Sequence, residues 1–337
     1  GSMKSVAVVL LNYNGLELLK KFLPKAIKNS NQAKLVLIDN GSTDDSVDWV
    51  VKNHPDVDCI KLNSNLGYAG GYNEGLKSVK ADYYALVNTD IELTADWLSP
   101  LLQHLELHSN TVAVQPHILD HTKRTHFEYA GAAGGYIDAL GIPFCRGRLF
   151  KRCEEDNGQY NETVPIFWAS GACFLIRSNT FWEFNGFDHR FFAHQEEIDL
   201  CWRIFNHGYT IEAIGNSKVF HIGGATLPPS PKKVFLNHRN SLLMCAKNLP
   251  KARLYSTLFM KLVLDGLIGV AYLFQFNFSA TYAIIKAHFA FYKMFRSNNL
   301  LRKNTKYSNR YFLRKSIFID YFVLRRLNFK DLNNNYK

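Results

Sequence analysis

Three carboxylates fall within four positions of the segment FFAHQEEIDLCWR, residues 191–203. They are Glu196, Glu197 and Asp199, and their neighbours are largely aromatic or apolar, where uncompensated negative charge is costly. On a helix, Glu196 and Asp199 share a face, whereas Glu197 points about 100° away from Glu196. One acid can therefore face a cleft while the others have structural roles. The alternative is that all three only favour a helix N-terminus.

The elements that would position these acids alternate between strand and helix. Four unbroken apolar runs, SVAVVLL (5–11), KLVLID (34–39), VDCIKL (57–62) and DYYALVN (82–88), are each followed by a helix-like segment. This alternation predicts an α/β fold with a mostly parallel, Rossmann-like sheet flanked by helices on both faces. Ligands of such sheets bind beyond the carboxyl ends of the strands.

Polar residues and glycines gather at those predicted strand ends. They are Asn12, Tyr13, Asn14, Asp39, Asn65, Gly67, Gly71, Asn73, Asn88 and Asp90. Any one of them can be an ordinary turn former, but their repetition on the ligand side predicts a nucleotide site. The glycine spacing matches neither GxGxxG nor a P-loop, which disfavours a dinucleotide dehydrogenase or a P-loop ATPase.

The net charge of +11 is unevenly distributed along the 337 residues. Residues 232–337 contain 20 Lys and Arg but only three acidic residues, whereas residues 1–231 are mildly acidic. The six cysteines show no CxxC spacing, so we expect reduced, structural thiols without zinc or disulfides. The apolar run at the N-terminus is too short and too polar at its end for a signal peptide, so we expect a cytoplasmic protein.

Seven segments resemble the inverting glycosyltransferases of family 2, which have the GT-A fold. In order they are VVLLNYNG, VLIDNGSTDDS, NLGYAGGYNEG, YALVNTDIEL, WASGACFLIR, GFDHRFFAHQEEIDLCWR and HIGGAT, which together cover residues 4 to about 226. The nearest branch is similar to the rhamnosyltransferase-like enzymes of bacterial surface-polysaccharide assembly.

A divalent cation, Mg²⁺ or Mn²⁺, is expected because a transferase must gather and neutralise the diphosphate of its sugar donor. Asp90, at the end of a buried strand, is the best-placed oxygen ligand, and the resemblance implies His221 as the second metal ligand. The family's Asp-x-Asp motif has Asn88 in its first place here, which removes one charge. Glu92 could contribute, or it could be a solvated residue before a helix.

The resemblance also implies how the donor and the acceptor are bound. Asp39 would accept the ring N–H of uracil or thymine while Tyr13 stacks on its face, so the donor would be a dTDP- or UDP-sugar. The segment FWASGACFLI resembles the acceptor-side loop. There Ser170 would bind sugar hydroxyls, Gly171 would allow close approach, and Trp168 would either stack on a sugar or pack in the core.

Inversion at an anomeric carbon needs a base for the attacking hydroxyl. In the family this base is the second acid of a Glu-Asp pair that opens a helix, and alignment on EIDLCWR places Glu196 and Glu197 there. Glu197 is therefore the expected base, one methylene longer than the usual aspartate, and Glu196 its neighbour in the acceptor site. Asp199 is expected to bond backbone or Arg203.

The basic C-terminal region suggests a second unit. We expect a GT-A catalytic domain in residues 1–230 and a basic, aromatic, helical membrane-associating region in residues 231–337, with the boundary near TLPPSPKK (226–233). Residues 266–285 contain no charge, which is long enough to span a bilayer, although their polar residues favour interfacial helices on an anionic inner leaflet. An oligomer interface and nucleic-acid binding are alternatives, but no nucleic-acid motif is visible.

Together these features predict an inverting, metal-dependent hexosyltransferase of cell-surface glycan synthesis, peripheral on the inner face of the cell membrane. It would move a sugar, with rhamnose favoured, to a lipid-linked saccharide acceptor. The alternative is a catalytically silent module that binds sugar nucleotides or membranes, because Asn88 and Glu197 replace the usual aspartates.

Overall fold

The computed structural model describes residues 4–224, 228–297 and 302–332. The described strands are β1 (Val6–Asn12), β2 (Lys34–Asp39), β3 (Asp58–Lys61), β4 (Tyr83–Asn88), β5 (Ile91–Glu92), β6 (Thr111–Asp120), β7 (Gly135–Ile137), β8 (Pro143–Cys145), β9 (Arg148–Leu149), β10 (Arg152–Cys153), β11 (Val164–Ile166), β12 (Cys173–Arg177) and β13 (Thr210–His221). The α-helices are α1 (Leu16–Lys28), α2 (Ser46–Asn53), α3 (Gly67–Leu76), α4 (Leu98–Leu107), α5 (Ser178–Glu183), α6 (Glu196–Asn206), α7 (Pro231–Asn248), α8 (Lys251–Phe274) and α9 (Phe278–Ser297).

A central sheet runs in the order β11-β13-β6-β12-β4-β1-β2-β3, with β5 paired to β13. Strand β1 is parallel to β2 and β4, β2 is parallel to β3, and β13 is parallel to β6. Strand β12 is antiparallel to both β4 and β6, so the sheet is mixed but mostly parallel. The predicted α/β fold with a helical C-terminal region is confirmed.

Both faces of the central sheet are buried, as the unbroken apolar strands predict. Along β1, Ala7 and Val9 belong to one apolar core, and Val6, Val8 and Leu10 belong to the other. Helices α1, α2 and α4 cover the second of these faces, whereas α3, α6 and α7 cover the first. The alternation of side chains along a strand thus supplies two cores from a single run of apolar residues.

The C-terminal region packs against the body of the molecule. Leu242, Leu243 and Met244 of α7 lie in the main core, together with Tyr311 and Phe329 from the tail. The division at residues 230/231 stays a prediction, and part of the segment proposed as its linker, residues 226 and 227, lies outside the described residues. Buried side chains of α7 nonetheless belong to the same apolar core as those of α6.

Helices α8 and α9 form an antiparallel hairpin that packs on α7. Asp265 of α8 accepts hydrogen bonds from His238 of α7 (3.0 Å) and His288 of α9 (2.8 Å). This buried carboxylate ties the three helices together. Within the described residues, α8 is the one helix long and apolar enough to cross a bilayer by length and composition alone.

Candidate active site

A cavity of about 500 Å³ opens at the carboxyl-end edge of the central sheet. Several predicted site residues line it: Asn88, Trp168, Ser170, Gly171, Glu196, Glu197 and His221. Other lining residues were not predicted, among them Tyr68, Glu128, Arg148, Lys151, His194 and Lys233. The site therefore combines the end of β4, the loop before β12, the start of α6 and the end of β13.

Glu196 and Glu197 open helix α6 and form a hydrogen-bonded carboxyl pair. Glu196 is buried and Glu197 half-buried. Burial raises the pKa of both groups; the neighbouring charge of Glu197 and their shared hydrogen bond raise the pKa of Glu196 further, well above its ordinary value. The same bond lowers the pKa of Glu197 and partly offsets its burial. Glu196 therefore keeps its proton to higher pH than Glu197, and Glu197 is the first of the two acids to ionise.

Gly171 allows Glu197 to approach the loop before β12. A Cβ at Gly171 would lie 3.1 Å from Oε2 of Glu197 and 3.0 Å from the hydroxyl of Tyr68. The Tyr68 hydroxyl donates to the carbonyl oxygen of Gly171 (2.7 Å), which holds the loop in place. The group that lies close to Gly171 in this structure is therefore the carboxylate of Glu197.

Asp199 is fully buried on the other side of α6. It accepts hydrogen bonds from Arg203 Nε (3.1 Å), Lys247 Nζ (2.7 Å) and Asn248 Nδ2 (2.7 Å). The structural role and the Arg203 contact expected for Asp199 are confirmed. Lys247 and Asn248 were not expected, because they lie almost 50 residues away, at the end of α7.

The segment before the carboxyl pair has an unusual backbone. Phe192, His194 and Gln195 have φ values of 61°, 73° and 64°, in the left-handed region that side chains other than glycine rarely adopt. The side-chain amide of Asn240, on α7, donates to the carbonyl oxygens of Phe191, Ala193 and His194 at 2.8–2.9 Å. Helix α7 thus holds a strained turn that leads directly into Glu196.

Asp90, just after β4, and His221, at the end of β13, come together; His221 lines the cavity and Asp90 does not. His221 Nε2 lies 3.0 Å from Asp90 Oδ1, and its Nδ1 lies 2.7 Å from Glu128 Oε2. Burial lowers the pKa of His221, but hydrogen bonds with the two carboxylates raise it to about 10. In this form a proton occupies the position between Asp90 and His221.

The Asp90–His221 pair fits a divalent cation. Ligand bonds of about 2.1 Å to an octahedral ion place adjacent ligands about 3 Å apart, which matches the 3.0 Å separation of Oδ1 and Nε2. Glu128 contacts the opposite ring nitrogen, as a carboxylate that orients a metal-bound histidine does. In the described part of the chain no three His, Cys, Asp or Glu residues converge on one ion position. The carboxylate of Glu92 instead forms salt bridges with Lys25 (2.9 Å) and Arg124 (2.7 Å).

A second cluster lies at the ends of β1 and β2. The amide of Asn12, which is fully buried, donates to Asp39 Oδ1 (3.0 Å), and Asp39 also accepts from the hydroxyl (2.6 Å) and backbone (3.0 Å) of Ser42. The side-chain oxygen Oδ1 of Asn14 accepts a hydrogen bond from the backbone N–H of Thr43 (2.7 Å), while Tyr13 is 51% exposed. Asn12 and Asn14 therefore fix this loop, and Tyr13 remains open to a ligand.

The residues predicted in the glycine loop have packing contacts. Gly67 has a φ of +76°, and a Cβ there would lie 2.3 Å from the Phe192 carbonyl oxygen. A Cβ at Gly71 would meet β1 and the loop after β2, and Asn65 accepts from the Gly67 backbone at 2.9 Å. Asn73 bonds both backbone groups of Phe187. These four residues do not line the cavity. Gly67 and Asn73 contact the segment before α6, whereas Gly71 lies against β1 and the loop after β2.

Two of the residues predicted to lie in the acceptor-side loop have contacts within the protein. Trp168 is 3% exposed, and its indole N–H donates to the Tyr136 carbonyl oxygen (2.9 Å). The Ser170 hydroxyl accepts from the Ala172 backbone (3.1 Å). Of the two possibilities considered for Trp168, the geometry favours core packing.

Comparison with known proteins agrees with this geometry. The family "Glycosyl transferase family 2" matches residues 7–184, more than half of the chain. The N-acetylglucosaminyl-diphospho-decaprenol L-rhamnosyltransferase of Mycobacterium tuberculosis is 24% identical over 253 residues, covering 69% of this chain and 81% of that protein. Rhamnosyltransferase WbbL of Escherichia coli K12 is 24% identical over 207 residues, covering 59% of this chain and 76% of that protein.

Solved structures share the fold. GalNAc-T7 with UDP, GalNAc and Mn²⁺ superposes with a TM-score of 0.59 at 17% identity, covering 74% of this chain and 49% of that one. The mannosyltransferase PcManGT from Pyrobaculum calidifontis, with GDP-Man and Mn²⁺, has a TM-score of 0.52 at 13% identity, covering 89% and 77%. The chain belongs to glycosyltransferase family 2, as a rhamnosyltransferase-like member with the GT-A fold.

Proposed function

We propose that the protein is an inverting, metal-dependent glycosyltransferase. It transfers a sugar, rhamnose first, from a dTDP- or UDP-sugar to a lipid-linked saccharide in cell-surface glycan synthesis. The observation that carries the proposal is the position of the α6 carboxyl pair, Glu196 and Glu197, which lines the same cavity as His221.

Glu197 is the base in this proposal. In direct displacement the acceptor hydroxyl attacks the anomeric carbon, the bond to the donor diphosphate breaks, and the hydroxyl proton passes to Glu197. Glu196, which keeps its proton to higher pH, stabilises the ionised form of Glu197 by donating a hydrogen bond. Because the base receives a proton only as the new bond forms, its contribution is made in the transition state.

Asp90 and His221 would hold the cation, and Glu128 would orient the imidazole. When bound, the ion neutralises charge that develops on the diphosphate leaving group. The described protein ligands number two, which leaves coordination positions for water and the donor. Neighbouring structures that contain Mn²⁺ support this assignment, and Asn88, beside the pair, supplies a neutral amide.

The donor base would lie at the second cluster, stacked on Tyr13 and hydrogen-bonded to Asp39. On the acceptor side, the cavity contains Arg148, Lys151 and Lys233. Cations of this kind suit an acceptor that carries its own phosphates, such as the diphospho-decaprenol substrate named for the Mycobacterium tuberculosis relative.

The test is nucleotide release with dTDP-rhamnose, UDP-glucose and UDP-N-acetylglucosamine. Each donor is incubated with a polyprenyl-diphosphate N-acetylglucosamine acceptor and Mn²⁺, Mg²⁺ or EDTA, and the product's anomeric configuration is read by NMR. We expect turnover with one pyrimidine donor, abolition by EDTA and an inverted product. A retained configuration, or turnover unaffected by EDTA, would refute the mechanism. Donor binding without turnover would instead support a silent binding module.

A further inference from the structure

The α8–α9 hairpin ends in a projecting apolar surface. We define the hairpin tip as residues 266–285, which contain no Asp, Glu, Lys or Arg. Its exposed large apolar side chains are Leu267, Val270, Leu273, Phe274, Phe276, Phe278, Tyr282 and Ile285. Phe274 and Phe276 are 82% and 81% exposed. Contiguous exposed apolar surface of this kind marks an interaction site.

The exposed face of the tip contributes nothing to the core of the protein. On the opposite face, small residues and one isoleucine are buried, namely Ala280, Ala283, Ile284 and Ala287. The two helices are joined there by a hydrogen bond from the Thr281 hydroxyl to the Gly269 carbonyl oxygen (2.8 Å). Because α9 packs against α7 and α8 through these small side chains, the exposed aromatic ones remain available for an external partner.

The turn at the tip satisfies its own backbone. The amides of Gln275, Phe276 and Asn277 donate to carbonyl oxygens in the last turn of α8, at 2.9–3.2 Å. The Asn277 side-chain oxygen accepts from the Ser279 hydroxyl (3.1 Å) and the Ala280 backbone (3.2 Å). A segment that enters lipid must form its backbone hydrogen bonds within the protein. A turn that is exposed to water can form them with solvent instead.

Cations border the tip. Lys286 follows it directly, and Lys293 and Arg296 lie further along α9; all three are exposed. Lys286 Nζ lies 5.3 Å from the centre of the Tyr282 ring, so the charge sits beside an aromatic residue at the limit of the apolar surface. Aromatic residues next to lysines are typical of segments that enter the headgroup region of anionic membranes.

We propose that the hairpin tip inserts into one leaflet of an anionic lipid bilayer, with Lys286 and Lys293 at the headgroups. The inference deepens the proposed function, on which it rests for the location of the acceptor lipid. The paired Asp265 marks the protein end of the inserted part, since it is the first charge on α8 before the tip. Insertion here would bring the cavity to its membrane-bound acceptor.

The test uses the full chain and sedimentation with vesicles of phosphatidylcholine, with and without 30% phosphatidylglycerol. Phe276→Asp and Phe274→Asp each remove an exposed apolar side chain and add a negative charge. We expect each to weaken binding to anionic vesicles by at least tenfold. The matched control is Leu107→Asp, at a site 78% exposed at the end of α4, which should leave binding unchanged.

A second readout does not depend on loss of binding. Phe276→Trp should show a blue-shifted tryptophan emission with anionic vesicles, and brominated lipids should quench it. Equal sedimentation of the Asp variants and the control, or unquenched emission, would overturn the proposal. So would a dimer of the wild type that Phe276→Asp dissociates, since the tip would then bind a second copy. Nucleotide release with a water-soluble acceptor tests the chemistry separately and should be the same in all variants.

Discussion

The proton shared by Glu196 and Glu197 leads to a sharp prediction about two neighbouring residues. Glu197→Gln removes the proposed base, whereas Glu196→Gln replaces a carboxyl that is already neutral with a neutral amide of similar size. A Gln at position 196 can still donate a hydrogen bond to Glu197, so the ionised acceptor and its environment persist.

The magnitudes follow from these roles. A positioned general base contributes about 10²–10⁴-fold to the rate, and each factor of ten corresponds to about 1.4 kcal/mol. We therefore expect Glu197→Gln to lower kcat by 10²–10⁴-fold, a loss of about 3–5 kcal/mol, with little change in the KM for the donor. Glu196→Gln should lower kcat by less than about tenfold.

The assay is initial-rate nucleotide release between pH 4.5 and 8.5 with saturating donor and cation. Burial raises the pKa of Glu197 above its ordinary value, and a base is active only when ionised. The kcat should therefore fall on the acid side through a pKa above 4.5, and this limb should remain in Glu196→Gln. Melting temperatures and donor affinity serve as controls for folding.

The reasoning would be refuted by the reverse order of effects. If Glu196→Gln were the more damaging change, Glu196 would be the base and the proton would lie on Glu197. Equal losses of about a thousandfold in both variants would mean that the pair acts as one unit, whose two acids cannot be given separate roles.

Three further predictions concern residues that hold the site in place. Glu128→Gln should weaken Mn²⁺ affinity by about 10–100-fold, measured by activation or calorimetry, because the partner of His221 Nδ1 loses its charge; unchanged affinity would contradict the orienting role. Asn240→Ala should lower the free energy of unfolding by about 1–3 kcal/mol and reduce kcat, because the turn at residues 192–195 loses its hydrogen-bond donor. The isosteric Asn240→Asp cannot donate these hydrogen bonds and should be no better, so a fully active Asp variant would show that they are not needed. Hydrogen bonds with His238 and His288 overcome burial and lower the pKa of Asp265 to about 2; its contribution of about 2 kcal/mol is therefore present above pH 3.8 and lost as the pH falls toward 2. The difference in unfolding free energy between wild type and Asp265→Asn should shrink over that interval, and a constant difference would contradict it.

Local patterns in the sequence were sufficient for the four parallel strands β1–β4 and for the edge at which they end. The apolar runs of β1, β2 and β4 predicted buried parallel strands because both faces of such strands must be apolar. The same patterns predicted where Asn88 and Asp90 lie, since parallel strands end at a common edge. The start of α6 at Glu196 followed from the position of the acids before an amphipathic segment.

Residues distant in the chain decided the rest. Lys247 and Asn248 pair with Asp199, and Asn240 holds the strained turn at residues 192–195, although all three come from the region expected to be a separate unit. The hydrophobic periodicity of the sequence does not predict such contacts, because each depends on how α7 packs against α6. The available signal was that Lys247 and Asn248 directly follow the apolar run at residues 242–246 of α7.

The amino-acid sequence was sufficient for the fold class, the family resemblance and the set of acids from which a base can be chosen, because these depend on local periodicity and on residue types in a fixed order. The folded structure was needed to show which acid ionises first, since that depends on burial and on the contact between Glu196 and Glu197. It likewise assigned Glu128 to His221, and Gly67 and Asn73 to packing. Proton affinity and packing are properties of surroundings, and those surroundings come from parts of the chain that meet only on folding.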